Sequence, residues 1–252
     1  MNESLPSPEL LSRVRVVMVS TSHPGNIGSA ARAMKTMGLG ELVLVSPRQA
    51  DAINDPQAQA LASGATDVLA GARIVATLAD ALADVHFALA FTARRRELSH
   101  GSKGLRAACA DAVEFLATSQ AGTRVALVFG NETFGLSNEE VDRCQMIAMI
   151  PANPVYSSLN VAQAVQLAAY ELMMAVNAFP AEPAAPRRAS SAEEVEGFLS
   201  HLEAAAVEAD FLDPAEPKRF MTRMRRLFTR ARLEPEEVAI LRGVLAALMR
   251  RR

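Results

Sequence analysis

Five short runs rich in β-branched and apolar residues recur along the chain, interspersed with segments of helical spacing. The runs are Val14–Ser20, Leu42–Ser46, His86–Thr92, Arg124–Phe129 and Gln145–Ile150. The helical segments are Ile27–Met37, Pro56–Ser63, Leu78–Ala83, Gly104–Ala117, Asn138–Cys144 and Leu159–Phe179. A strand apolar on both faces must be covered on both faces. Its alternation with helices predicts an α/β fold with a mostly parallel sheet between helical layers. In such folds ligands bind beyond the carboxyl ends of the strands.

The pattern changes near Phe179. The stretch F-P-A-E-P-A-A-P-R-R-A-S-S carries three prolines and no apolar period, which predicts an extended linker. Three helices follow, over Ala192–Ala209, Pro217–Ala231 and Pro235–Arg250. The chain therefore divides into a main domain, 1–178, a proline-rich linker, 179–190, and a helical extension, 191–252. A length of 252 residues suits one large domain with an appendage.

The middle helix of the extension reads P-K-R-F-M-T-R-M-R-R-L-F-T-R-A-R, with seven basic residues and no acidic one. Phe220, Met224, Leu227, Phe228 and Ala231 fall on one stripe, which predicts core or dimer contact. Arg219, Arg223, Arg226 and Arg230 fall on the next. With no local acid to balance them, these four arginines are candidates for RNA phosphate.

Composition narrows the remaining classes. A formal charge of −2 excludes a uniformly basic nucleic-acid binder but leaves room for a local basic patch. Cys109 and Cys144 read as buried reduced thiols, and no Cys/His cluster has metal-ligand spacing, so no metal is expected. No leader segment and no membrane span is expected, which predicts a cytoplasmic protein without a membrane partner. The chain has no tryptophan and few aromatics, which argues against a base-stacking platform.

Three loops carry the unusual residues. The first, H-P-G-N-I-G-S-A-A-R-A-M-K, reads as a glycine turn opening a helix, a weak anion-site signal without the spacing of a dinucleotide or P-loop motif. Within it Arg32 stands among Ala30, Ala31, Ala33 and Met34. Such small residues suit close packing, where a charge needs a partner. The second loop is L-V-F-G-N-E-T-F-G-L-S, in which Glu132 reads equally as a surface cap or a site residue. The third is I-P-A-N-P-V-Y-S-S-L-N-V-A-Q-A, whose Ser157, Ser158 and Asn160 are helix caps or ligand contacts. The residues show no hydrolase nucleophile elbow.

Together N-I-G-S-A-A-R, F-G-N-E-T-F-G-L-S and I-P-A-N-P-V-Y-S-S-L-N-V-A-Q-A resemble the three motifs of the SpoU branch of the SPOUT RNA methyltransferases. The opening T-S-H-P-G-N-I-G-S-A-A-R and the tail F-M-T-R-M-R-R-L-F-T-R-A-R-L-E-P-E-E extend the resemblance to tRNA-modifying members over nearly the whole chain. It implies the SPOUT fold, with a trefoil knot near the C-terminal end of the catalytic domain, and a homodimer with the active site at the subunit interface, across which Ala30, Ala31, Ala33 and Met34 are expected to pack. It implies S-adenosylmethionine as cofactor. The implied substrate is the ribose 2′-hydroxyl of tRNA nucleotide 32, the first of the anticodon loop, as cytidine or uridine; relatives differ in the bases they accept. Carried over by motif, the cofactor residues are Phe91, Thr92, Ala93, Gly130, Ile150, Ser157, Ser158 and Leu159. The catalytic set is Asn26, Arg32, Glu132, Ser157 and Asn160, with Asn26 orienting Arg32. Arg94 and Arg96 join the extension's arginines as tRNA contacts.

Overall fold

The computed structural model describes residues 8–93, 101–178, 189–216 and 218–250. Seven strands form one sheet: β1 Val14–Val19, β2 Glu41–Val45, β3 Arg73–Val75, β4 Phe87–Phe91, β5 Ser102–Gly104, β6 Val125–Phe129 and β7 Met146–Met149. The helices are α1 Pro8–Ser12, α2 Pro24–Thr36, α3 Pro56–Ala62, α4 Thr66–Ala70, α5 Leu78–Leu82, α6 Leu105–Thr118, α7 Asn138–Asp142, α8 Val161–Ala178, α9 Ala192–Glu208, α10 Phe220–Ala231 and α11 Pro235–Met249. The strand order is β3-β2-β1-β6-β4-β7-β5, and every strand pair is parallel. The two strands absent from the sequence reading, β3 and β5, are three-residue edge strands that are mostly exposed.

Alternate residues of the five longer strands feed two cores. Val16, Met18, Leu42, Leu89 and Leu127 pack under α2, α6 and α8. Val17, Val43, Ala88, Ala126 and Val128 pack under α5 and α7. Both cysteines are buried free thiols, and burial pushes Cys109 up to about 12.

Two sequence expectations need correction. Helix α2 starts at Pro24, not at Ile27, because proline is favoured in the first turn of a helix. The glycines of the supposed turn are therefore helical. Gly28 serves close helix contact: a Cβ there would lie 2.0 Å from the Ala58 carbonyl oxygen of α3. The second correction concerns Ala30, Ala31, Ala33 and Met34. These are buried within this one chain, in the core shared with α3 and α8.

At the amino end of the sheet, Arg15 is only 2% exposed. Its guanidinium donates to Glu41 at 2.7 Å, to both carboxylate oxygens of Asp84 at 2.7 and 3.0 Å, and to the Ala81 carbonyl at 2.6 Å. Arg124 pairs with the same two acids. Burial opposes the charge of Arg15, and Asp84 and Glu41 outweigh it, holding its pKa above the usual arginine range.

The extension docks at this same end. Ala192 donates from its backbone to Val85 just before β4, at 2.7 Å, and Arg232 lies over the Phe87 ring at 4.7 Å. Phe198, Leu199 and Val238 form its core, with Met224 and Phe228 packed against them. The expected apolar stripe of α10 is only partly core. Leu227 and Ala231 are exposed, and Phe220 meets Phe211 edge-on at 5.2 Å. Residues 179–188 of the expected linker lie outside the described residues, while Ala189 and Ser190 are buried. Among the described residues no helix is long and apolar enough to cross a membrane, and no cluster of His, Cys, Asp or Glu is suited to a metal ion.

Candidate active site

Strands β4, β6 and β7 end side by side, and the segments leaving them bound a cleft of about 390 Å³. Phe91, Thr92, Ala93, Gly130, Ile150, Ser157, Ser158 and Leu159 all line it. So the segments assigned to the cofactor by resemblance come together at the carboxyl ends of the strands, where α/β sheets place ligands. The floor is apolar, with the Phe91 and Phe129 rings stacked at 4.4 Å. The loop after β6 needs its glycine. A Cβ on Gly130 would lie 2.3 Å from the backbone of Gly135 and Leu136, so any side chain would pry the loop open.

Glu132, on that loop, ties the three motifs together at the mouth of the cleft. Its carboxylate accepts from the backbone of Ser22 at 2.9 Å and His23 at 3.3 Å, and from the Asn26 amide at 2.9 Å. Asn26 in turn accepts from the Asn160 side-chain amide at 2.9 Å. The Asn160 side-chain oxygen accepts from the backbone of Ala162 at 2.9 Å and Gln163 at 3.4 Å, capping α8. The amino end of α2 thus does meet an anion, as its composition suggested, but the anion belongs to the chain itself. Burial works against ionisation of Glu132. The hydrogen bonds from Asn26, Ser22 and His23 outweigh it, and the carboxyl sits below the usual glutamate range.

Arg32 lies elsewhere on α2. Six residues beyond Asn26 it is about 9 Å along the axis and about 120° around it. It is exposed, and among the described residues its guanidinium has no hydrogen bond or ion pair. The expectation that Asn26 orients Arg32 does not hold in this chain, since the Asn26 amide is engaged by Glu132 and Asn160. Ser157 and Ser158 are exposed on the cleft rim. Arg94 and Arg96 lie outside the described residues.

The arginines of α10 are at the opposite end of the sheet. Arg223, Arg226 and Arg230 line a groove of about 200 Å³ with Leu227, Gln145 and Gly101, the last two preceding β7 and β5. Arg219 is exposed at the start of the helix. Two basic residues of the run are balanced after all: Arg225 pairs with Glu196 of α9, and Arg232 with Asp111 of α6 at 3.9 Å.

Sequence reasoning missed Asn131 and Phe134. The Asn131 side-chain oxygen accepts from the backbone of Thr133 at 2.8 Å and Phe134 at 3.2 Å, shaping the loop that presents Glu132. The signal was present, an asparagine two residues before the turn's tip.

Residues 13–170 match the SpoU rRNA methylase family, and residues 193–252 match the C-terminal domain of the tRNA methyltransferase TrmJ. The chain is 44% identical over 246 residues to the tRNA (cytidine/uridine/adenosine-2′-O-)-methyltransferase TrmJ of Pseudomonas aeruginosa, covering 94% of this chain and 93% of that one. It is 43% identical over 243 residues to the tRNA (cytidine/uridine-2′-O-)-methyltransferase TrmJ of Citrobacter koseri, covering 95% and 97%. The crystal structure of TrmJ from Z. mobilis superposes with a TM-score of 0.79 at 33% identity, over 93% of this chain and 98% of that one. A probable methyltransferase from Bordetella pertussis superposes with a TM-score of 0.64 at 53% identity, over 67% and 99%. The chain belongs to the SpoU methylase family and carries a TrmJ-type C-terminal domain.

Proposed function

We propose that this protein transfers a methyl group from S-adenosylmethionine to a ribose 2′-oxygen of tRNA, at nucleotide 32 of the anticodon loop, where it accepts cytidine or uridine. The observation that carries the reading is the Glu132–Asn26–Asn160 chain, which joins three separate motifs at the mouth of one cleft. The relatives are tRNA 2′-O-methyltransferases by name, and they match the chain through both domains.

The cleft suits the cofactor in size and chemistry. Its volume falls in the range of small-molecule sites, and an apolar floor with hydroxyls at the rim matches an aromatic base joined to polar groups. Phe91, Ile150 and Leu159 would flank the base, and Thr92, Ser157 and Ser158 would hold the polar parts. When bound, S-adenosylmethionine supplies an electrophilic methyl group on a sulfonium. Glu132 keeps a negative charge beside the cleft, and its bound donors make it a poor proton acceptor. Arg32 is a permanent cation. Because it is exposed, its charge costs the fold little, and in this reading it would hold a phosphate or stabilise charge developing on the ribose oxygen.

Three further parts of the reading rest on placement. The arginines of α10 hold tRNA backbone away from the target nucleotide, since they lie at the sheet end opposite the cleft. The active unit is a homodimer, supported by the exposed Leu167, Tyr170 and Met174 along one side of α8. A trefoil knot is supported by the insertion of β7 between β4 and β5, two strands formed earlier in the sequence.

Incubation with methyl-labelled S-adenosylmethionine and unmodified tRNA tests the reading. Label should enter RNA and map to the 2′-oxygen of nucleotide 32. Arg32→Ala should abolish transfer with cofactor affinity unchanged by calorimetry. Label at a base, at another nucleotide or nowhere overturns the assignment.

A further inference from the structure

We infer that Phe134 is the surface on which the base of the target nucleotide stacks. The inference rests on the tRNA methyltransferase reading and adds a positioning residue to it. Phe134 is 73% exposed, yet it lines the same cleft as Gly130 and Ser157–Leu159. It stands two residues after Glu132, whose carboxylate joins the three motifs.

Its loop is fixed. The Asn131 side chain accepts from the Phe134 backbone at 3.2 Å, the Asn131 carbonyl accepts from Gly135 at 2.8 Å, and Gly130 allows the close return of the chain. A large apolar ring is therefore held in water on a rigid tip, where a polar residue would serve the fold better. The floor of the cleft already has its aromatic pair, Phe91 with Phe129. Phe134 sits outside that pair, exposed to solvent where the two floor rings are buried.

The reaction supplies the need. A ribose inside a stacked loop is poorly reached, so its nucleotide must leave the stack, and the displaced base then seeks a new face. One exposed aromatic ring provides it, although the chain has too few aromatics for a broad platform. Stacking reads the face of a base and not its hydrogen-bonding edge. Phe134 therefore holds cytidine, uridine or a purine without choosing among them.

The chain has no tryptophan, so Phe134→Trp introduces a single fluorophore. Anticodon stem-loop RNA should quench its emission, and S-adenosylmethionine alone should not. Phe134→Ala should raise KM for tRNA about 5- to 100-fold, the loss expected for one base–aromatic stack. Cofactor affinity by calorimetry should not change, and Phe134→Tyr should keep the wild-type KM. Quenching by cofactor alone would assign the ring to the cofactor and overturn the inference. So would an unchanged KM in Phe134→Ala, or a change confined to oligomeric state by light scattering. Wild-type protein run alongside separates the two levels: if it methylates no RNA the proposed function fails first, whereas normal wild-type turnover with an indifferent Phe134→Ala sinks this inference alone.

Discussion

Arg15 and Glu132 are the charged hubs of the two ends of the sheet, and their charges are compensated by different means. At the amino end, Arg15 meets full opposite charges, Glu41 and Asp84, which Arg124 shares. At the carboxyl end, Glu132 meets only neutral donors, two backbone amides and the side-chain amides of Asn26 and Asn131, and among the described residues no cation pairs with it. The first arrangement cancels charge. It is closed, and it offers nothing to a ligand. The second stabilises a charge without cancelling it, leaving a net negative group on the wall of a cleft. Dipoles that fix a charge in place, without neutralising it, are the usual economy of a preorganised site.

Breaking the ionic hub should give the largest effect on the fold. Arg15→Ala leaves the Ala81 carbonyl and two acids short of a donor, while Arg124 still covers part of Glu41 and Asp84. A loss of about 3 kcal/mol is expected, the low end for breaking a buried pair. Urea unfolding measures it. Methyl transfer per folded molecule should be unchanged. If turnover falls while stability holds, the amino-end hub is not the structural one.

Glu132→Gln should do the reverse. The glutamine oxygen can still accept from Ser22 and His23, so stability should stay within about 1 kcal/mol of wild type. Methyl transfer should fall about 100-fold, the scale for losing one preorganised electrostatic contact. The pH dependence gives a second check. The folded-state pKa of Glu132 lies below its unfolded value, so its contribution is complete above the unfolded value, roughly 4.3, and is lost as pH falls through the folded one. The stability gap between wild type and Glu132→Gln should therefore narrow on acidification. A gap that widens toward acid would contradict the hydrogen-bonded carboxylate described here.

The sequence exposes these two hubs very unequally. An arginine inside an apolar run, V-R-V-V-M-V, announces that some acid must meet it, but Glu41 and Asp84 are 26 and 69 positions away and no local pattern selects them. Glu132 lies in a motif whose neighbours were legible, because the three loops have distinctive spacing. The central strands were legible because burial on both faces leaves a continuous apolar run. The edge strands β3 and β5 were not, because exposed three-residue pairings need no such run. Gly28 misled for a tertiary reason. Its role depends on the Ala58 backbone of a different helix, which no local reading of the glycine can reveal.

The finest test of the comparison is Asn160, which has one structural and one site contact. Its side-chain oxygen caps α8, and its amide nitrogen donates to Asn26. Asn160→Ala removes both, and about 1 kcal/mol of stability should go with the cap. Asn160→Asp separates them. The carboxylate can still cap and suits the positive end of the helix, so unfolding should return close to wild type. It cannot donate to the Asn26 oxygen, and it places a second negative charge one residue away from the Glu132 network. Turnover should therefore stay low in the aspartate variant although its fold is restored. If Asn160→Asp works as well as wild type, the link from Asn160 to Asn26 is incidental, and only the Glu132–Asn26 half of the network belongs to the site.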